Sequence, residues 1–217
     1  MKLRTMLAMV MALSLPVLAM GEDAPDPRLT DDEFKDLIKM MDDSQDLLLG
    51  LITGLTDEQW NFKQNEDRWS VAECTEHIVR SQRALYESAK AAMATPENPD
   101  WAEQTKGKNE FIRRIMPNRS PGGAGGATAP QEIRPTENWD RQRAIQEFYT
   151  TQGAVRAYIE TMDREIKNHT FEHPFPVFGT LNAYDWLIYV PLHTVRHSRQ
   201  IMEVQEDPNY PKASGGR

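Results

Sequence analysis

Apolar residues recur every three to four positions along most of the chain, the period of a helix packed on one side. Over 31–53 the stripe is Phe34, Leu37, Ile38, Met41, Leu48 and Ile52. Over 71–94 it is Val71, Cys74, Ile78, Leu85, Ala89 and Met93, and over 138–167 it is Ile145, Phe148, Val155, Ile159, Met162 and Ile166. A fourth stripe, over 182–206, runs through Trp186, Tyr189, Val190, His193, His197, Ile201 and Val204. The starts are marked as well. Thr30 and Glu33, Thr56 and Gln59, and Ser70 and Glu73 each have the spacing of a capping box, in which side chain and backbone satisfy one another's free N–H groups. Leu29 and Phe34 can close a hydrophobic staple over the first box. The second box opens only a short helical turn before Asn65-Glu66-Asp67, and Asn182 is a fair N-cap for the fourth helix. Pro96 and Pro99 end the second long helix, Pro208 and Pro211 follow the fourth, and Pro191 inside the fourth should bend its axis.

Four helices of similar length bury their stripes most simply as an all-α four-helix bundle. The first and second helices, and the third and fourth, are joined by links short enough for antiparallel neighbours. The connection over 95–137 is a long crossover, able to span the bundle and set the second and third helices parallel. It holds a short helix near 108–116, around Phe111, Ile112 and Ile115, then the glycine-rich run 117–126, which reads as a mobile loop, either a lid over a site or a tolerated insertion. Neither an internal repeat nor a convincing strand is evident.

The N-terminus departs from this pattern. Lys2 and Arg4 precede the apolar run Leu7–Leu18, with small residues at Ala19 and Gly21 and acids after them, the layout of a cleaved secretory signal. An uncleaved anchor is the other reading of the same residues. The expected organisation is a signal over 1–21, a flexible leader over 22–29, the bundle over 30–207 and a tail over 208–217. Such a protein is exported, periplasmic or secreted, without stable membrane association after cleavage. The formal net charge is −8, and losing Lys2 and Arg4 makes it more negative, which disfavours nucleic acid and anionic membranes as partners. Cys74 is the only cysteine, so no disulfide forms within the chain and the fold stands on its packed core. A homodimer is compatible with the sequence, and a small molecule is the expected substrate.

The candidate chemistry lies on the buried stripes. His193 and His197, four residues apart, stack on one helix face. Imidazoles there need partners, because burying them bare is costly. Alone the pair fits a metal site, a hydrogen-bonded core pair or a surface pair. His77, between Cys74 and Ile78 on the inner edge of the second helix, offers a third ring; alone it also fits a core histidine bonded to a backbone carbonyl, whereas three imidazoles with open positions form the donor set of a catalytic rather than a structural metal site. Cys74 is either close to that site or a small buried hydrophobe. Arg80 and Arg196 are candidate anion contacts or salt-bridge partners, Glu73 serves its cap, and Tyr189 is a candidate hydrogen-bond donor or a core residue. His169 and His173 read as exposed loop residues, His173 with a chance of facing the metal.

These motifs, Trp69-Ser70-Val71-Ala72-Glu73-Cys74-Thr75-Glu76-His77, Phe178-Gly179-Thr180-Leu181 leading to Trp186, and His193-Thr194-Val195-Arg196-His197 with Gln200-Ile201, resemble the DinB-like superfamily over about 30–207. The resemblance implies a four-helix bundle holding a divalent metal through His77, His193 and His197. An ion held by three neutral imidazoles would support hydrolysis or thiol-type transfer, so an enzyme of hydrolase or thiol-transferase type is the expected function. An export signal separates this chain from the cytoplasmic thiols that characterised transferases of the superfamily use. The alternative is a non-catalytic metal-binding or stress-associated protein. Imidazole donors suit zinc, nickel, iron or copper.

Overall fold

The computed structural model describes residues 25–118 and 129–212. The expected signal over 1–21, residues 22–24 of the expected leader, residues 119–126 of the glycine-rich run and residues 213–217 of the tail lie outside them. The helix starts follow the sequence grammar. α1 (Asp31–Ile52), α2 (Asp57–Asn61) and α3 (Val71–Met93) each begin with a complete capping box, on Thr30, Thr56 and Ser70. In α3, Ser70 Oγ accepts from Glu73 N–H at 3.1 Å and Glu73 accepts from Ser70 N–H at 2.8 Å. Each such cap stabilises its helix by about 1 kcal/mol. The crossover carries α4 (Trp101–Gln104), α5 (Lys108–Ile115) and a 3-10 turn at Gln131–Ile133. α6 (Arg141–Thr161) is followed by β1 (Thr170–Glu172), β2 (Thr180–Asn182) and α7 (Ala183–Gln205). α7 is continuous across Pro191 and opens on a fourth box, Asn182 with Asp185.

The four long helices form the expected bundle, but helices consecutive in the chain are not the neighbours their links suggested: α3 and α7, α1 and α7, α3 and α6, and α1 and α6 pack side by side, whereas α1 and α3, and α6 and α7, lie across the bundle from one another. The connection lets α3 and α6 run parallel: Arg83 meets Glu147 and Thr151, and Tyr86 packs on Tyr158 with ring centroids 5.3 Å apart. α1 and α6 are antiparallel, with Asp31 on Arg164 and Asp42 on Arg156. α3 and α7 are also antiparallel. Among the described residues, no helix is long and apolar enough to cross a membrane.

Two differences concern the third and fourth long helices. The apolar period suggested a helix to 167, but α6 ends at Thr161 with Met162 extended. Ile166 is still fully buried, because the chain beyond α6 pairs with the leader instead: Ile166 and Lys167 donate to Pro27 O, and Leu29 donates to Arg164 O. A helical spacing of apolar residues was thus met without a helix. No strand was expected, yet β1 and β2 form an antiparallel hairpin registering Phe171 opposite Leu181. Its turn closes at Gly179, at φ 59°, a conformation costly for other residues.

The interior is layered. One apolar cluster includes Leu37, Met41, Val155, Ile159, Trp186 and Val190; the other includes Leu48, Ile52, Ile78, Phe148, Ile201 and Val204. Between them every long helix contributes buried polar side chains: Ser44, Ser81 and Gln82, Thr151 and Gln152, and Thr194 and Ser198. Gln82 donates to Gln152 at 2.8 Å and to Thr194 at 3.2 Å, and Gln152 donates to Met41 O at 2.8 Å. The histidines lie in this layer.

Candidate metal centre

The Ser70 cap sets where α3 begins, and two turns later the helix turns His77 inward, where it is 2% exposed. α7 packs antiparallel beside it and presents His193 and His197 one turn apart. The ring centroids are 5.2 Å apart for His77 and His193, 4.4 Å for His77 and His197, and 4.5 Å for His193 and His197. One ring nitrogen from each lies within 4.8 Å of the other two. Nitrogens sharing one ion at about 2.1 Å each stand up to about 4 Å apart, so small ring rotations close the remaining gap.

The remaining ring nitrogens are informative. His77 Nδ1 lies 2.7 Å from Ile133 O, and a carbonyl only accepts, so Nδ1 carries the proton and Nε2 is left as the donor atom. His197 Nδ1 likewise donates to Gln200 Oε1 at 2.8 Å. Outer hydrogen bonds of this kind orient imidazole ligands in metal sites. His193 Nδ1 is buried with no hydrogen-bond partner, a cost that a bound ion relieves. Burial holds the His193 pKa well below its ordinary value, and His77 and Arg196 push the same way. A neutral imidazole is the form that binds a metal. The donor set therefore fits a divalent transition metal.

Around the triad, Trp69 packs its ring 4.7 Å from His77 and 6.2 Å from His197. Ser81 Oγ lies 3.4 Å from His77 Nε2. Cys74 is fully buried in an apolar cluster. Glu73 serves its cap and pairs with Lys63. Arg80 is salt-bridged to Glu76 and Glu137, and Arg196 donates to Asn118 O. Tyr189 is buried 6.1 Å from the His193 ring, and burial raises its pKa.

Two histidines expected to be exposed are not. His169 is half-buried and bonded through Nδ1 to Thr95 O at 2.7 Å. His173 is buried, stacked on Trp186 and Tyr189, because the hairpin folds it onto α7. It does not belong to the triad. Sequence reasoning allowed His77 a backbone carbonyl as partner but did not identify it as that of Ile133, and it missed the role of Gln200. Gln200, three residues beyond His197, was open to discovery from helical spacing. Ile133 acts through its carbonyl, on which side-chain patterns are silent.

Comparison with known proteins agrees with this architecture. An uncharacterized protein of Bacillus subtilis (strain 168), YuaE, is 23% identical over 161 residues, covering 71% of this chain and 88% of its own length. No solved structure matches. Residues 40–201, which include all three histidines, match the DinB superfamily, and on that match the chain belongs to this superfamily.

Proposed function

We propose that this chain is an exported protein that holds one divalent transition-metal ion through His77, His193 and His197 and acts as a hydrolase or thiol-type transferase on a small molecule. The observation that carries the reading is the convergence of three imidazoles from two helices, with donor atoms within 4.8 Å of one another. A divalent ion held by three neutral imidazoles keeps its double charge and supplies Lewis acidity, lowering the pKa of bound water or polarising a carbonyl. The protein's own residues orient and enclose. Ile133 O and Gln200 Oε1 keep His77 and His197 in one tautomer, and Trp69 covers the rings of both. Among the described residues the donor group contains no carboxylate, and the adjacent Glu76 is engaged by Arg80 and backbone N–H groups.

The test is elemental analysis of the mature chain, purified without a histidine tag and reconstituted separately with zinc, nickel and iron. The wild type is expected to retain about one equivalent of one metal and His193→Ala almost none. A wild type that retains none of them refutes the reading. The non-catalytic alternative draws on the burial of His77 and His197 between the two apolar clusters. It gains if His193→Ala lowers the melting temperature steeply while the metal-loaded wild type turns over no ester, amide or thiol substrate.

A further inference from the structure

Two adjacent residues of α3 reach the same stretch of the long connection. His77 donates Nδ1–H to Ile133 O at 2.7 Å. Glu76, 1% exposed, accepts from the backbone N–H of Thr136 at 2.8 Å and of Glu137 at 3.1 Å. Arg80 Nε donates to the same carboxylate at 2.8 Å, and its Nη2 reaches Thr136 Oγ1 at 3.1 Å and Glu137 at 2.9 Å. Only Arg134 and Pro135 separate the carbonyl on His77 from the amides on Glu76, and the proline ring stiffens that short span.

Beyond these contacts the limb is held at its end, where the Glu137 carboxylate accepts from Arg143 at 2.6 Å and from the Trp139 indole N–H at 3.0 Å. From Ala129 to Asn138 no residue is buried; the first buried side chain after the 3-10 turn is Trp139. A buried carboxylate is expensive unless its oxygens are satisfied. Here they are satisfied by the backbone of a loop lacking an apolar anchor of its own. The capping box at Ser70 accounts for the start of α3 without Glu76, so the helix does not require a carboxylate at that position.

The geometry points to Glu76 as a positioning residue for the metal centre: it clamps the Ile133–Glu137 limb so that the Ile133 carbonyl takes the Nδ1 proton of His77 and leaves Nε2 facing His193 and His197. This rests on the reading of the triad as a metal site. Glu76 touches no reacting group; it acts through the loop and through His77.

Long-range proton–nitrogen correlation spectra of the metal-free protein report the His77 tautomer directly. The wild type is expected to hold the Nδ1–H form. Glu76→Ala is expected to lose that preference and to weaken the dissociation constant for zinc about tenfold or more, with a smaller loss in Glu76→Gln. Glu73→Ala is the control: it removes a cap partner on the same helix, so it lowers the melting temperature but leaves tautomer and zinc affinity unchanged. An unchanged His77 tautomer in Glu76→Ala, or in Glu76→Gln if the alanine variant does not fold, overturns the proposal whatever the zinc affinity does. A wild type that takes up no zinc instead removes the metal reading, and the tautomer measurement still decides the role of Glu76.

Discussion

His173 shows how far a single ring's surroundings decide its chemistry. It stacks on Trp186 at 4.9 Å and on Tyr189 at 5.7 Å, and its Nδ1 accepts Phe175 N–H at 2.9 Å. Burial lowers its pKa from 6.5 to about 4. The folded protein therefore disfavours the charged ring, whereas the unfolded chain takes the proton below pH 6.5. Its contribution to stability is complete above pH 6.5 and is lost as pH falls toward 4. His173→Phe keeps the stack but cannot titrate, so its melting temperature is expected to fall less steeply over that window; equal slopes would refute the assignment. The triad histidines were legible because helical spacing and a capping box fixed their faces. His173 was not, since its burial depends on a hairpin folding back, although Phe171, Phe175 and Phe178 around it were a sign of apolar surroundings.

Helix starts were the most legible elements, because a capping box is a local device that needs no tertiary partner. The box of α7 is unusual in being buried. Asp185, 1% exposed, accepts from Asn182 N–H at 3.2 Å, and desolvation raises its pKa from 3.8 to about 7. A carboxyl whose folded pKa is raised contributes most below the unfolded pKa, and the protein loses that contribution as pH rises from 3.8 through about 7. Asp185→Asn keeps an oxygen for the cap and removes the charge. Its melting temperature relative to wild type is expected to rise with pH across that range. A difference independent of pH would count against a buried, titrating Asp185. Helix ends were less legible. The apolar period continued through Ile166 although α6 stops at Thr161, because an extended segment bonded to the leader buries the same side chain. The hairpin escaped notice because strands of three residues carry too short a period to recognise.

For the whole molecule, the polar layer between two apolar clusters makes the histidines part of what joins the halves, so an ion bound there should stabilise the bundle. Zinc at about a hundred times its dissociation constant adds roughly 2.7 kcal/mol, which for a chain of this size raises the melting temperature by roughly 5–10 °C. Calorimetry with and without zinc should show that rise in the wild type, its reversal by a chelator, and its absence in His193→Ala. An equal rise in the variant would place the ion elsewhere. The all-α class, the four long helices, the crossover between the second and third, and the pairing of His193 with His197 could be read from residue order alone, because each depends on neighbours within a turn or on the length of a link. The approach of His77 to that pair, the carbonyl of Ile133 on its outer nitrogen, the clamp at Glu76 and the burial of His173 depended on how each helix is rotated about its axis and where distant segments come to rest. Those are properties of packing between residues far apart in the chain, and local periodicity carries no record of them.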